Sequence, residues 1–216
     1  MYKEYKQQQH WNDHYKKKQH AVLNYDGWLD SYMQRFPKDG RVLDLGCGSG
    51  SDTDVLLNQG FSVCSADFSE EALQIMKELI PSSVPMKMDM TEKFPFQDDA
   101  FDVVVADLSL HYFEWSLTRQ IVEEIGRVLK ASGMLLARFN SDKDYGFGAG
   151  NGEIIEPGLR LVNGRTKRFF SAKNINDLFG EGWEVFCKQE NITDRYSKKK
   201  AYWEFAAYNR KDLMKN

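Results

Sequence analysis

The stretch VLDLGCGSGSDT, residues 42–53, places alternating glycines directly behind a short apolar run. Gly46, Gly48 and Gly50 carry no side chains, so a ligand can approach the backbone closely. The residues that follow predict a helix at about 51–60. A strand, a glycine loop and a helix in this order predict a ligand-binding loop. A glycine-rich turn that binds nothing remains the alternative.

Apolar runs recur along the chain with helical patterns between them. The predicted strands lie at 41–45, 61–67, 84–89, 101–108 and 133–140. Ser69 can cap a helix that ends at Pro81. A second helix has an apolar stripe formed by Leu117, Ile121, Ile125 and Val128, with Gly133 just beyond its end. This alternation predicts an α/β fold with a doubly wound, mostly parallel sheet that binds ligands at the carboxyl ends of its strands.

The C-terminal part of the chain breaks this alternation. Residues 182–189 and 201–209 have strand patterns, and no helix fits between them. The two segments are therefore expected to pair antiparallel. A parallel sheet closed by an antiparallel pair is not the usual pattern of a dehydrogenase.

Composition limits the class of protein. The chain has 216 residues, 42% of them apolar, and a formal net charge of -3. This balance argues against nucleic acid as the main partner. No apolar run approaches the ~20 residues that span a bilayer. The polar, aromatic N-terminus is unlike a signal peptide. The three cysteines are far apart and predict neither a disulfide framework nor a metal site, which suits a reducing cytoplasm.

Two acidic residues follow the next strand ends. Asp67 comes 21 residues after Gly46, where a carboxylate can accept hydrogen bonds from a ribose diol, although it could instead cap the next helix. Asp89 lies between two methionines and could face a flat ring or only solvent. The loop departs from the dinucleotide fingerprint because its third glycine comes one residue early and Ser51 occupies the fingerprint position.

These features together resemble the class I S-adenosylmethionine-dependent methyltransferases. The resemblance rests on "DLGCGSG", Asp67, Asp89 and the segment 94–113, and it covers residues 40–140 best. The stretch "FPFQDDAFDVV" is similar to that of the small-molecule branch. The resemblance implies a Rossmann-like seven-stranded sheet with an antiparallel last strand. It also implies S-adenosyl-L-methionine as cofactor and S-adenosyl-L-homocysteine as product.

The family pattern assigns expected roles to individual residues. The expected cofactor-binding residues are Asp44, Gly46, Cys47, Gly48, Gly50, Asp67, Phe68, Asp89, Met90 and Asp107. His111 and Tyr112 follow the fourth strand and are the candidate catalytic residues. His111 could act as a general base or only as a polar wall that orients the substrate. The expected substrate-side residues are Trp11, Tyr15, Tyr145 and Arg168, although Trp11 and Tyr15 could simply pack a helix.

One domain, residues 1–216, accounts for the whole chain. It divides into an N-terminal helical cap at 1–35, a cofactor-binding core at 40–140, a substrate-side lid at 141–171, and a C-terminal helix with the antiparallel strand pair at 172–216. The segment 141–171 is far longer than the usual connections of ~2–6 residues, which predicts a lid or binding loop. The sequence leaves monomer and homodimer open.

These observations predict S-adenosylmethionine-dependent methyl transfer to a small molecule. The rival enzyme is an RNA methyltransferase that uses the lysine runs at 16–18 and 198–200 together with Arg165, Lys167 and Arg168, although the runs are expected to be solvated faces. A second rival is a cofactor-binding regulatory protein without activity. An NAD-linked oxidoreductase is disfavoured by the glycine spacing and the antiparallel tail. The acceptor and its O, N or S nucleophile stay open.

Overall fold

The computed structural model describes the backbone of residues 2–17 and 22–211 and the side chains of residues 9–17 and 22–211. Its helices are α1 (Tyr2–Lys16), α2 (Asp30–Met33), α3 (Ser51–Asn58), α4 (Glu70–Leu79), α5 (Trp115–Val128) and α6 (Ala172–Leu178). Its strands are β1 (Arg41–Leu45), β2 (Ser62–Asp67), β3 (Pro85–Lys87), β4 (Phe101–Asp107), β5 (Leu129–Asn140), β6 (Glu153–Glu156), β7 (Leu159–Val162), β8 (Arg165–Arg168), β9 (Trp183–Thr193) and β10 (Lys200–Asn209).

The main sheet has seven strands in the order β3-β2-β1-β4-β5-β10-β9. Neighbouring strands from β3 to β5 are parallel. β10 lies between β5 and β9 and is antiparallel to both. The predicted doubly wound, mostly parallel sheet with an antiparallel last strand is therefore confirmed.

The central strands bury both faces of the sheet. Leu43, Leu45 and Val104 belong to one apolar cluster, whereas Val42 and Val103 belong to a second. Successive side chains of a strand point to opposite faces, so each strand contributes to both clusters. This arrangement explains why β1 and β4 are nearly continuous apolar runs rather than alternating ones.

The helix predicted at Ser69 forms as expected. Ser69 is the N-cap of α4, and its hydroxyl accepts a hydrogen bond from the Ala72 backbone N–H at 3.2 Å. Leu73 and Met76 lie on the buried face of α4. The helix begins where a polar cap satisfies its first N–H groups and ends just before Pro81.

The predicted boundary between the last helix of the core and its last parallel strand is wrong. α5 ends at Val128, and Leu129 is already extended, so β5 begins four residues before Gly133. Leu129 is buried and pairs with Phe101 of β4. The Asn209 side chain donates to the Gly126 carbonyl at 2.8 Å, so a distant strand satisfies the end of the helix. The local sequence does not contain this signal.

The segment 141–171 is not an irregular loop. It contains a second sheet, antiparallel, with the strand order β6-β7-β8. Asn163 and Gly164 join β7 to β8 with positive φ angles of 51° and 75°. An Asn-Gly pair with this backbone favours a tight hairpin, and this signal is present in the sequence. The prediction missed it because glycines elsewhere in the segment obscure the strand pattern.

The N-terminal helix α1 packs against the start of α4. The Ser69 hydroxyl donates to Asn12 Oδ1 at 2.8 Å, and Lys16 pairs with Glu71 at 3.4 Å. Within the predicted cap at 1–35, residues 1 and 18–21 lie outside the described residues, as do residues 212–216 at the other end. No helix in the described ranges combines the length and the apolar character needed to cross a membrane.

Candidate functional site

A cavity of about 500 Å³ opens at the carboxyl ends of β1, β2 and β4. Most of the residues predicted to bind cofactor or substrate line it. These are Trp11, Tyr15, Asp44, Gly46, Cys47, Gly48, Asp67, Phe68, Asp89, Met90, Asp107, His111 and Tyr112. Gly50, Tyr145 and Arg168 are not among its lining residues.

The glycine loop allows close packing around the cavity. Gly46 has a φ of +78°, and a Cβ there would lie 2.4 Å from the Cβ of Ser109. Gly48 has a φ of +55°, and a Cβ there would lie 2.5 Å from the hydroxyl of Tyr15. A larger residue at Gly46 is therefore excluded on conformational and steric grounds, whereas one at Gly48 would strain the backbone and displace the Tyr15 hydroxyl. Gly50 packs instead against Met76 and Ile80, which gives it a role in seating α4.

Asp67 ties the glycine loop to α4. Its carboxylate accepts from the Gly48 N–H at 2.9 Å and from the Ser69 N–H at 2.8 Å. Burial raises the pKa of Asp67, while these backbone hydrogen bonds act in the opposite direction. A carboxylate has about four lone-pair sites, so Asp67 can still accept from the hydroxyls of a ligand. Ser69, not Asp67, is the residue that caps the helix.

Four carboxylates that line the cavity are called here the acidic wall: Asp44, Asp52, Asp67 and Asp89. Burial raises the pKa of Asp44 to about 7, with repulsion from Asp107 and Asp67 adding to the shift. Burial and repulsion from Asp107 and Asp44 raise the pKa of Asp52. Buried carboxylates of like charge favour a cationic ligand, because it would relieve their repulsion. The sequence prediction missed Asp52.

Asp89 reaches the acidic wall from the loop after β3. Its Oδ1 accepts from the Thr91 backbone N–H at 2.9 Å and from the Thr91 hydroxyl at 2.7 Å. These bonds hold the carboxylate beside Met90 at the edge of the cavity. This placement is compatible with a flat ring against Met90, as the sequence predicts.

Asp107 lines the cavity and is held by two arginines. Arg138 donates to both of its carboxylate oxygens, at 2.6 and 2.7 Å, and Arg195 donates to one at 2.9 Å. Burial alone would raise the pKa of Asp107, but the two guanidinium groups outweigh burial and lower it. Arg138 also pairs with Asp26 at 2.7 Å. The network joins the end of β4 to β5 and to the β9–β10 connection.

His111 faces the cavity from the loop after β4. The side chain is 2% exposed, and its Nδ1 has no hydrogen-bond partner among the described residues. Burial lowers the pKa of His111 well below its usual value, and the nearby charges of Lys200 and Lys167 lower it further. The imidazole is therefore neutral near pH 7. The ring of Tyr112 lies beside it, with the centroids 4.3 Å apart.

The predicted substrate-side residues separate into two groups. Trp11 packs edge-on against Tyr112 at 5.2 Å, and both Trp11 and Tyr15 line the cavity. Tyr145 is 69% exposed and lies away from the cavity lining. Arg168 is buried, pairs with Glu156 and donates to the Phe113 carbonyl at 3.1 Å. Arg168 therefore anchors β8 to the chain after β4 instead of facing the cavity.

Three cations also line the cavity and are called here the basic wall: Arg165, Lys167 and Lys200. The expectation that the run 198–200 is a solvated face is wrong for Lys200, which is 6% exposed. Its Nζ donates to Asn140 at 2.6 Å and to Asp144 at 2.9 Å. A run of lysines gives no local signal that one of them is buried. Within the described ranges, no cluster of His, Cys, Asp and Glu could hold a metal ion.

The sequence is similar to that of known methyltransferases. The methyltransferase domain family matches residues 43–137. A Bacillus subtilis protein named YqeM, described as a methyltransferase, is 37% identical over 119 residues, which are 52% of this chain and 47% of YqeM. The tRNA N(3)-cytidine methyltransferase METTL2 of Danio rerio is 27% identical over 82% of this chain and 54% of that protein. The chain thus spans about half the length of the curated relatives it matches.

A solved S-adenosylmethionine-dependent methyltransferase from Methanosarcina mazei has the same fold, with a TM-score of 0.71 and 20% identity over 82% of this chain and 96% of that one. The sheet order, the glycine loop and the carboxylates at the strand ends define a Rossmann-like methyltransferase domain. Residues 43–137 match the methyltransferase domain family, and the chain shares the fold of solved S-adenosylmethionine-dependent methyltransferases. The cofactor of such enzymes is S-adenosylmethionine, whose ammonium and sulfonium charges suit the acidic wall.

Proposed function

We propose that this chain transfers a methyl group from S-adenosylmethionine to a small-molecule acceptor. The observation that carries the proposal is one cavity lined both by the acidic wall and by His111, Tyr112 and the basic wall. A volume of about 500 Å³ lies within the range of small-molecule sites. The cavity therefore has a place for a cationic cofactor and a separate place for an acceptor.

The glycine loop and three carboxylates are proposed to hold the cofactor. The backbone at Gly46 and Gly48 allows the cofactor to approach closely, and Asp67 accepts from the ribose hydroxyls. Asp44 and Asp52 stabilise its positive charges. When bound, S-adenosylmethionine supplies an activated methyl group, and the C–S electron pair returns to sulfur as the acceptor bonds to the methyl carbon. The protein contributes alignment, which can lower the barrier by ~7–11 kcal/mol at the well-oriented limit.

His111 is proposed to position the acceptor rather than to remove its proton. The neutral imidazole lines the cavity and carries one donor and one acceptor nitrogen, so it can orient an acceptor O–H or N–H. A pKa well below the usual value makes His111 a weak proton acceptor near pH 7. A His111→Gln variant should therefore raise KM more than it lowers kcat. A fall in kcat of about 10²-fold or more would instead support general-base catalysis.

Methyl transfer to RNA is the second candidate. It is favoured by the similarity to a protein named as a tRNA methyltransferase and by the basic residues Arg165 and Lys167 at the cavity. The net charge of -3 weighs against it, because RNA binding usually needs a clear basic excess. The small-molecule function is therefore preferred.

The test is transfer of a radiolabelled methyl group from S-adenosylmethionine, with small-metabolite fractions and total tRNA as parallel acceptors. We expect label in a small-molecule fraction and none in tRNA. Labelled tRNA alone would support the RNA function. Tight S-adenosylhomocysteine binding without transfer to either would support a cofactor-binding regulatory protein.

A further inference from the structure

The cations of the cavity differ in whether a carboxylate neutralises them. Arg195 pairs with Asp107 at 2.9 Å, and Lys200 pairs with Asp144 at 2.9 Å. Within the described part of the chain, Arg165 and Lys167 pair with no carboxylate. The Arg165 guanidinium lies 5.3 Å from the Trp11 ring centroid. Among the residues that the structure describes, these two cations of the basic wall therefore form no ion pair with a carboxylate.

The surroundings of Lys167 add to this imbalance. Its Nζ donates to the Phe147 carbonyl at 3.2 Å, a neutral acceptor. Burial lowers the pKa of Lys167, and repulsion from Lys200 and Arg165 lowers it further. The Asp144 carboxylate offsets this repulsion only in part, so the pKa of Lys167 stays lowered, and an anion at this position would relieve the rest. His111 does not supply the charge, since its ring is neutral near pH 7.

Arg165 and Lys167 are held in place by the strand that carries them. They are two residues apart on β8, so their side chains leave the same face of the strand. The Thr166 hydroxyl donates to the Tyr112 carbonyl at 2.6 Å, and the Arg168 N–H donates to the His111 carbonyl at 2.7 Å. β8 is thereby fixed beside the residues proposed to meet the acceptor.

Aromatic rings surround the same region. Trp11, Tyr112, Phe147 and Tyr196 all line the cavity. Trp11 and Tyr112 meet edge-on at 5.2 Å, and Phe147 and Tyr196 meet edge-on at 5.8 Å. Walls of this kind favour a flat, apolar body that can pack against the rings. The region thus combines a flat apolar slot with an unneutralised positive edge.

We propose that the acceptor is a planar aromatic anion whose carboxylate or similar group binds between Arg165 and Lys167 while its ring packs among Trp11, Tyr112 and Phe147. This inference rests on the proposed small-molecule methyl transfer and names its substrate class. Arg165 and Lys167 then determine specificity, because a neutral analogue leaves both charges unpaired in the cavity.

The test uses the full chain saturated with S-adenosylhomocysteine and matched pairs of probes. Calorimetry compares 4-hydroxybenzoate, 3,4-dihydroxybenzoate and indole-3-acetate with their neutral carboxamides. We expect at least one carboxylate to bind about tenfold or more tightly than its amide, as a charge-assisted contact predicts. Lys167→Met and Arg165→Gln should each remove most of this preference, and Lys173→Met, an exposed lysine on α6, should retain it.

Equal binding of acids and amides across all pairs would overturn the inference, as would a preference that survives both substitutions. Total tRNA is a parallel titrant. Salt-sensitive tRNA binding that Lys167→Met abolishes, without any carboxylate preference, would assign the basic wall to nucleic acid and also overturn it. The affinity for S-adenosylhomocysteine, measured for every variant, shows that the cofactor side is intact. If the wild type did not bind S-adenosylhomocysteine, that result would count against the proposed function itself.

Discussion

The two walls of the cavity are built in different ways. The acidic wall comes from the ends of β1, β2 and β3 and the first turn of α3, each within a few residues of a strand. The basic wall joins β8 of the small second sheet to the start of β10 of the main sheet. The acidic wall is part of the parallel core, whereas the basic wall belongs to a small added sheet and the antiparallel tail. A common core can thus keep its cofactor site while the acceptor side varies.

The largest expected effect comes from closing the glycine loop. Gly46→Ala introduces a Cβ that would lie 2.4 Å from Ser109, at a φ of +78°. Gly60→Ala is the matched control, because its φ is +88° but nothing lies within 4 Å. Both variants carry the cost of a left-handed backbone, and overpacking should destabilise Gly46→Ala by a further ~1–3 kcal/mol.

Urea unfolding and calorimetry with S-adenosylhomocysteine measure this difference. We expect Gly60→Ala to keep wild-type cofactor affinity and Gly46→Ala to lose most of it. Equal stability and equal affinity in the two variants would mean that the close approach at Gly46 has no energetic consequence.

A smaller effect is expected from the acidic wall alone. Asp67→Asn removes the charge but keeps one acceptor oxygen, so cofactor affinity should fall by about one to two decades, as loss of charged hydrogen bonds of ~1.5–3 kcal/mol predicts. Asp54→Asn, on α3 outside the cavity lining, is the control and should bind normally. Binding of a carboxylate probe to the basic wall should change less than cofactor binding. An unchanged cofactor affinity in folded Asp67→Asn would restrict Asp67 to joining the loop and α4.

The smallest effect concerns the pH dependence of stability at His111. Its folded pKa is lowered, so below about pH 6.5 the unfolded chain binds a proton that the folded chain does not. The contribution of His111 to the free energy of unfolding is therefore present above about pH 6.5 and is lost as the pH falls below that value. Between pH 7.5 and 5.5, the wild type should lose about 1 kcal/mol more than His111→Gln, measured by urea unfolding. Equal losses would place the imidazole in a solvated, easily protonated setting.

Much of the fold and of the acidic wall could be predicted from local sequence. The glycine loop, Asp67 and Asp89 each follow a strand, and parallel strands bring their carboxyl ends together at one edge of the sheet. Tyr145, in a short helical turn before β6, and Arg168, on β8, do not line the cavity, because nothing near them in sequence indicates which way these side chains point. Lys200 is buried by Asp144 and Asn140, about 60 residues earlier, a pairing that only the tertiary structure reveals.

The central claim is that the cavity holds S-adenosylmethionine rather than a dinucleotide, and titration calorimetry tests it most directly. The full chain is titrated in parallel with S-adenosylhomocysteine and with NAD. The account predicts one S-adenosylhomocysteine bound per chain, with a Kd at least about a hundredfold below that of NAD, a difference of about 2.7 kcal/mol. NAD binding as tightly as S-adenosylhomocysteine, or more tightly, would contradict it.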